Sequence, residues 1–367
     1  MKRIWLISVL FIGLSAHAGI VLHKSDSLLP VRNGYHAEEA TFSELTDAEA
    51  DFSRTRDARK AIRRLYRIVK LRRPVADGKG RYRLFAGLAR LSSRLKLYPL
   101  AMRFYRKAIL EQYRTTAWYD APVYREILSG DGSAAADTDS CLLGDLPDSS
   151  LPDSNAVSMP GTWVSTPIQV SQLLAAFDDG KAATEFAMIV HVKQPIPGRR
   201  KAFAHINNVG HTFVTLIKYN TDHSVVARSF GFYPHKKGFL SGTPLHAKAP
   251  SDFKDDAAHE WDESVGKFIS AERFRRILDL LARYDHMVYD LNHNNCTDFG
   301  LQAAALGGIR ILETSGRWPL GRGNNPANAG QSVLEGKVEN IDPGYTDSLF
   351  LSYNVIMTSA KRCISSN

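Results

Sequence analysis

The chain is poor in cysteine and in the short motifs that mark a cofactor site. Its 367 residues include three cysteines, none of them in a Cys-x-x-Cys pair, and no His-Glu-x-x-His occurs. His293 and Cys296 have a spacing that suits zinc, but no second pair accompanies them. Phosphate loops, Gly-x-Ser-x-Gly turns and dinucleotide fingerprints are also missing. We therefore predict neither a metal ion nor another cofactor.

Long apolar runs are equally scarce, and the clearest one lies at the N-terminus. Residues 1–18 have a basic start, an apolar run at 4–14 and a small-x-small site that ends at Ala18. The run is too short to span a bilayer comfortably. We predict a signal peptide over 1–18 and an exported mature chain, periplasmic or secreted, without a transmembrane segment. An uncleaved amphipathic anchor is the alternative.

Export gives the three cysteines different expected states. In an oxidising compartment Cys141 and Cys363 can pair with each other, which leaves Cys296 as a free thiol. The alternative is that Cys141 and Cys363 are both unpaired surface thiols. Under either alternative Cys296 is the candidate nucleophile.

Positive charge is concentrated near the N-terminus. The chain carries 47 Lys and Arg against 38 Asp and Glu, and residues 52–114 hold 20 of the basic residues but only 3 acidic ones. Apolar spacing predicts helices over 47–73 and 81–113. These helices form a predicted basic helical domain at 40–128.

One segment of this predicted domain resembles a tetratricopeptide helix pair. In residues 88–109, Ala101, Tyr105 and Ala108 fall near the small and aromatic positions of that motif. Only one copy is visible, so a small helical domain with a degenerate repeat is the simplest interpretation. Its basic face fits an anionic partner such as cell-wall polymer or lipid headgroups, or is merely solvated. No nucleic acid partner is expected.

A predicted linker separates the helical domain from the rest of the chain. Residues 129–163 are rich in Ser, Asp, Gly and Pro, which is typical of a linker or a long surface loop. The remaining residues, 164–367, form the second predicted domain. Its first element is a short helix at 165–177.

Strands and helices alternate in the second predicted domain. Strand patterns occupy 185–192, the run that begins at His211, and 224–233, with a hairpin turn near residue 221. A further strand lies within 260–269, and Ser270 then caps an amphipathic helix. Antiparallel strands beside helices indicate an α+β fold.

Cys296 stands in the first turn of a predicted helix. An extended segment from Tyr289 leads through a polar turn into this helix, whose apolar positions are Phe299, Ala303 and Leu306. Unpaired backbone N–H groups and the helix dipole favour a thiolate at this position. Cys296 is therefore the predicted nucleophile. The Tyr289 hydroxyl and the backbone N–H of Cys296 are candidate oxyanion donors.

The predicted general base is His211, about 85 residues upstream. It opens the strand-like run Gly-His-Thr-Phe-Val, and a strand histidine beside a helix-borne cysteine forms the nucleophile and base pair of cysteine hydrolases. A buried structural cysteine and an ordinary strand histidine are the alternative. The glycine before His211 and the asparagines before Cys296 favour catalysis.

At these two motifs the chain resembles a known group. Gly-His-Thr-Phe-Val at 210–214 and Asn-Cys-Thr-Asp-Phe at 295–299 look like the circularly permuted branch of the NlpC-type papain-like superfamily, which includes the lecithin retinol acyltransferase group. The resemblance covers roughly 183–335. It implies a permuted papain-like fold, in which an antiparallel sheet packs on the nucleophile-bearing helix, and a Cys/His peptidase, amidase or acyltransferase.

The third catalytic group is harder to assign. In a hairpin that turns at residue 221, the position opposite His211 falls near 231–233, where no His, Asn, Gln or acid occurs. The remaining polar candidates are Ser229, Tyr233 and, from the other side, Asn208. A Cys/His dyad without a third group is also possible.

The sequence predicts an exported cysteine hydrolase. Cys296 attacks an amide bond, with His211 as base, and peptide of the cell envelope is the leading substrate. Acyl transfer by the same pair is one alternative. The other is a module that binds peptide or glycan without catalysis.

Overall fold

A computed structural model describes two stretches of the chain. They are residues 43–115 apart from 53, 56 and 71–77, and residues 165–353 apart from 204–207, 236, 237, 239, 240 and 342–348. The predicted signal peptide, the linker, Cys141 and Cys363 lie outside the described residues and stay predictions. No helix within these stretches is both long enough and apolar enough to cross a bilayer.

The N-terminal stretch is helical. Residues 43–52 form a helix, followed by α1 (Ala58–Lys70), α2 (Gly78–Arg94) and α3 (Tyr98–Thr115). The predicted helix over 81–113 is thus two helices, because the chain turns at 95–97 and Pro99 fits the first turn of α3. The predicted helix over 47–73 is likewise interrupted before α1.

The second stretch alternates short strands and helices. Residues 165–177 form a strand and a helix where the sequence predicts one helix, because Pro167 favours an extended residue before it and the strand pairs with residues 253–255. The elements are β1 (Thr166–Ile168), α4 (Val170–Phe177), β2 (Ala183–Lys193), β3 (His211–Asn220), β4 (Val225–Pro234), β5 (Lys248–Ala249), β6 (Ser251–Asp255), β7 (Glu263–Ile269), α5 (Ala271–Tyr284), β8 (Tyr289–Asp290), α6 (Cys296–Leu306), β9 (Ile309–Ile311), β10 (Ser315–Trp318), β11 (Gly321–Asn324), α7 (Pro326–Leu334), β12 (Val338–Asn340) and β13 (Phe350–Tyr353).

The main sheet of the described residues has seven strands, all antiparallel to their neighbours. Their order is β1-β6-β4-β3-β2-β7-β13, so β3 lies at the centre and β1 and β13 form the edges. Every side chain of β3 is buried. At one end of the sheet, His211 of β3 lies opposite Lys193 of β2.

Helices cover both faces of this sheet. On one face, α4, α5 and α6 pack on strand residues such as Val190, Leu216 and Phe232. On the other face, the N-terminal helices share a core with Ile189, Ile217 and Phe268. The described chain therefore has three layers, helix, sheet and helix, with an antiparallel sheet in the middle and an N-terminal helical region on one side.

Candidate active site

Cys296 is the first residue of α6 and lies against the end of the sheet. Asn295 caps the helix, since its side-chain oxygen accepts from the N–H groups of Thr297 (2.7 Å) and Asp298 (3.2 Å). Asp298 in return accepts from the N–H of Asn295 (2.9 Å). This capping box fixes the first turn, and the cysteine is 5% exposed. Cys296 is thus nearly buried, and the cap fixes the helical turn to which it belongs.

His211 faces Cys296 from the start of β3, where Gly210 allows the chain to turn. Gly210 has a φ of +73°, and a Cβ on it would lie 2.3 Å from the carbonyl oxygen of Lys193. Thr212, the residue after His211, meets Thr297, the residue after Cys296, with 3.2 Å between the two hydroxyl oxygens, and the Cys296 sulfur lies near enough to raise the pKa of His211. The structure therefore brings together the predicted nucleophile and the predicted base.

The partner of His211 on its other side is Asp256, immediately after β6. Nε2 of His211 lies 3.0 Å from Oδ2 of Asp256, so Nδ1 is the nitrogen left for the sulfur. Oδ1 of Asp256 accepts hydrogen bonds from the hydroxyls of Tyr233 and Ser165, both at 2.7 Å. The carboxylate is fully buried and has a donor on each oxygen, which fixes its orientation.

Gly231 leaves room for the histidine and carboxylate pair. It lies on β4, between β3 and β6. A Cβ at this position would come within 2.3 Å of His211 Nε2 and 2.4 Å of Asp256 Oδ2. The close approach of the two side chains across β4 therefore requires the absence of a side chain at residue 231.

The electrostatics of the pair favour a charged histidine. Burial lowers the pKa of His211, but the Asp256 carboxylate and the sulfur of Cys296 outweigh it and raise this pKa to about 9. Burial likewise works to raise the pKa of Asp256, and the facing His211 reverses this effect and lowers it. At neutral pH the stable form of His211 is therefore an imidazolium beside the Asp256 carboxylate.

The three polar candidates for the third catalytic group differ in their position relative to His211. Tyr233 belongs to the site, because its ring lies 4.2 Å from the His211 ring and its hydroxyl binds Asp256. The Ser229 hydroxyl pairs instead with Thr215 (2.7 Å). Asn208 donates to the carbonyl of Pro195 (3.4 Å). Neither Ser229 nor Asn208 has a described side-chain contact with His211.

Asp256 could not be predicted from the sequence because it lies one strand beyond β4, the hairpin partner of the strand that carries His211. The hairpin register places Tyr233 near His211, but the acid follows β6, on the far side of β4. A weak signal existed: Phe253 is an apolar residue between polar neighbours, as in a half-buried strand. Nothing in the sequence indicates that this strand pairs with β4.

Tyr289 lies beside the nucleophile, as the sequence predicts. Its side chain is buried and lies near Cys296, and burial raises its pKa well above the usual range. The hydroxyl therefore stays protonated as a donor. A phenol and a backbone N–H beside a sulfur match the donors that stabilise an oxyanion.

A groove reaches Cys296. It has about 290 Å³ of free space, including its mouth, and its apolar wall is formed by Ala202, Phe203, Leu291, Trp318 and Pro326. The wall of this groove is therefore mainly apolar.

The described part of the chain was also searched for side chains that could bind a metal ion. No group of three or more His, Cys, Asp or Glu side chains there is arranged to hold a metal ion. Cys296 is a free cysteine.

Comparison with other proteins does not assign the chain to a family. The sequence matches no family model, and neither curated proteins nor solved structures give a match. The arrangement of Cys296, His211 and Asp256 is therefore the basis for assigning a function.

Proposed function

We propose that this protein is a cysteine hydrolase that cleaves an amide bond, with Cys296 as nucleophile. The supporting observation is the group formed by Cys296, His211 and Asp256, in which one imidazole lies 3.0 Å from a buried carboxylate and near enough to a helix-borne cysteine to interact with it electrostatically. The permuted papain-like fold is part of the same proposal. An antiparallel sheet that packs on the helix of Cys296 supports it.

The mechanism follows from the position of each group. The Cys296 thiolate adds to the carbonyl carbon, and the oxyanion is stabilised by the Cys296 N–H and the Tyr289 hydroxyl. The His211 imidazolium gives its proton to the leaving amine, and a thioester remains on Cys296. Neutral His211 then takes a proton from water as the water attacks the thioester. The carboxylic acid leaves, and the thiolate and imidazolium are restored.

Asp256 supports both halves of this cycle. It fixes the ring of His211 through Nε2 and stabilises the charged form of the imidazole. A non-catalytic binding module is less well supported, because the weak third residue was the sequence evidence for it. Acyl transfer by the same groups is the remaining alternative. It differs only in the molecule that attacks the thioester.

The resemblance of the two motifs implies a peptidase or amidase, so an amide bond is the proposed substrate. The groove beside Cys296 is the proposed binding site, with Phe203 and Trp318 as apolar contacts. Together with the proposed export of the chain, this makes peptide of the cell envelope the substrate class to screen first.

The test is alkylation of the purified protein by iodoacetamide across pH. In a Cys141→Ser and Cys363→Ser background, Cys296 should react rapidly well below pH 8.5, the usual pKa of a free thiol. His211→Ala should slow this reaction by about 10-fold or more. The matched control is His235→Ala, because His235 also pairs with an aspartate, Asp252 (2.6 Å), but is half exposed on the surface.

The outcomes separate the alternatives. Slow alkylation that is indifferent to His211 contradicts catalysis and favours the binding module. Rapid alkylation followed by hydrolysis of envelope peptides, lost in Cys296→Ser, supports the hydrolase. If turnover appears only when an acceptor alcohol or amine is added, the enzyme is a transferase.

A further inference from the structure

The turn between α2 and α3 contacts the loop that carries Asp256. Nζ of Lys96 donates to the carbonyl oxygen of Ala258 and lies 3.1 Å from Oε1 of Glu260. These contacts join residues more than 160 positions apart in the sequence. The N-terminal helices are therefore tied to the same loop that places the carboxylate at His211.

Lys96 makes these contacts from an unfavourable backbone conformation. Its φ is +62°, in the left-handed region where glycine is the usual residue after a helix. A lysine at such a position is strained, and strain of this kind is retained where the surrounding structure uses the side chain. The ammonium group is largely enclosed, with the side chain 21% exposed, which agrees with its role as a link between two layers.

The loop itself is anchored by backbone contacts at its ends. The N–H of Asp256 donates to the Ser229 carbonyl (2.9 Å), and the N–H of Asp262 donates to that of Val192 (2.8 Å). Between these anchors, His259 N–H closes a turn on the carbonyl of Asp256 (2.9 Å). The ammonium of Lys96 binds the middle of this segment, where it supplies a contact from another layer.

A row of rings runs from the same helical turn to the histidine. Tyr98, the first residue of α3, lies 4.6 Å from His191, which stacks on Phe213 at 4.6 Å. Phe213 in turn stacks on His211 at 5.8 Å. The turn therefore reaches the catalytic histidine by two routes, one through the Asp256 loop and one through stacked rings.

We propose that Lys96 is a positioning residue for the reaction: it holds the 256–260 loop so that the Asp256 carboxylate stays against His211. The N-terminal helices then help to position the active-site residues, and they also cover one face of the sheet. This inference rests on the proposed function of Cys296, His211 and Asp256.

Lys96 acts through the position of Asp256 and not by direct contact with His211. The titratable groups that face His211 are Asp256 and His259 from the loop, Tyr233 from β4 and Cys296 from α6. When Lys96 is lost, the carboxylate is held less firmly, and the histidine is less well stabilised in its charged form.

Lys96→Gly separates positioning from stability. Glycine relieves the backbone strain, so the thermal midpoint should stay the same or rise. Without the ammonium, the pKa of His211 should fall by about 0.5 to 1 unit, and the pH profile of Cys296 alkylation should move down by a similar amount. The His211 titration is read by NMR of histidine-labelled protein, with His211→Gln to assign the signal.

Two further variants serve as controls. Lys96→Arg should keep the pKa of His211 and the alkylation of Cys296 as they are in the parent protein, because its guanidinium can donate to Ala258 and Glu260 together. Arg106→Met removes another link between the helices and the sheet, the ion pair with Glu185, at the end of β2 away from the site. It should leave the His211 titration unchanged.

The NMR titration keeps this inference distinct from the proposed function. If Lys96→Gly leaves the pKa of His211 and the alkylation rate as they are in the parent protein, the inference is overturned. If Cys296 of the parent protein shows no activation at all, the proposed function fails. The His211 titration still decides whether Lys96 positions Asp256.

Discussion

The charge on His211 depends on a single carboxylate that is buried beside it. Asp256 lies 3.0 Å from Nε2 and is the largest influence that raises the pKa of the histidine against its burial. An opposite charge at this distance shifts a pKa by about 1 to 3 units. The charge of the imidazole next to Cys296 is thus controlled by the carboxylate at Nε2.

Asp256→Asn is expected to lower the pKa of His211 while leaving the fold intact. An amide can still accept from Nε2 but carries no charge, so a titration near pH 9 should move down by about 1 to 3 units. Alkylation of Cys296 at pH 7 should slow in parallel. The measurement is NMR titration of His211 in both proteins, and a pKa that stays near 9 would contradict the role assigned to Asp256.

Gly231→Ala is expected to separate the histidine from the carboxylate. The new methyl group would occupy space within 2.4 Å of both His211 Nε2 and Asp256 Oδ2, so one of the two side chains must move. Alkylation at neutral pH should fall by about 10-fold or more, because His211 loses the charge that offsets its burial and becomes neutral. Gly180→Ala is the control for lost stability, because its φ of +70° makes alanine strained while no atom lies within 4 Å of the added methyl group, and it should leave alkylation unchanged.

Sequence patterns identified the two residues whose roles depend on local structure. Cys296 follows a capping asparagine and His211 follows a turn glycine, and both features are readable within a few residues. Asp256 meets His211 only because β6 pairs with β4 and residue 231 has no side chain. Strand order across a sheet has no local signature, so this third group could not be assigned.

At the scale of elements, the cap of α6 fixes the position of Cys296, the proposed nucleophile. Besides capping the helix, Asn295 donates from Nδ2 to the carbonyls of Leu291 and Asn324, both at 2.9 Å. One side chain thus joins the helix, the segment before it and strand β11. The position of Cys296 relative to the groove depends on this junction.

Asn295→Ala should lower stability and disorder the nucleophile together. Loss of a cap costs about 1 to 2 kcal/mol, and two buried carbonyls also lose their donor. The control is Ser270→Ala, which removes the cap of α5, where the serine accepts from Arg273 N–H at 3.3 Å. Urea unfolding should show a loss of stability in both variants. Slower alkylation of Cys296 is expected for Asn295→Ala alone.

Elements with a strong local signal were predicted well, and those defined by pairing were not. The helix capped by Ser270 and the hairpin of β3 and β4 are confirmed, since their caps, periodicity and turn are all local. Strands β1 and β6 are short and were not predicted. Their conformation is stabilised by hydrogen bonds to distant strands, and such pairing is invisible in a short window.

At the scale of the whole molecule, the helices and the sheet share a core that contains a buried histidine. His191 is fully buried between Tyr98 of α3 and Phe213 of β3, and burial lowers its pKa to about 3. In the unfolded chain its pKa is near 6.5. Below pH 6.5 the unfolded state therefore binds a proton that the folded state does not.

His191→Gln should make the protein less sensitive to acid. Because the unfolded state binds more protons between pH 6.5 and about 3, stability falls as the pH falls through this window, by at most ~1.4 kcal/mol per pH unit for one histidine. Glutamine does not titrate and can still bond to Thr215, the partner of His191 Nε2 at 2.9 Å. The check is urea unfolding between pH 4 and 7. Equal slopes in the two proteins would contradict this account.

The edge strand β1 affects whether two copies of the molecule can associate by pairing their sheets. Pro167 lies in the middle of this three-residue strand and has no N–H to offer a neighbour. An edge that is short and interrupted by proline is a poor template for a strand from another chain. The sheet is thereby protected against growth into aggregates at that edge.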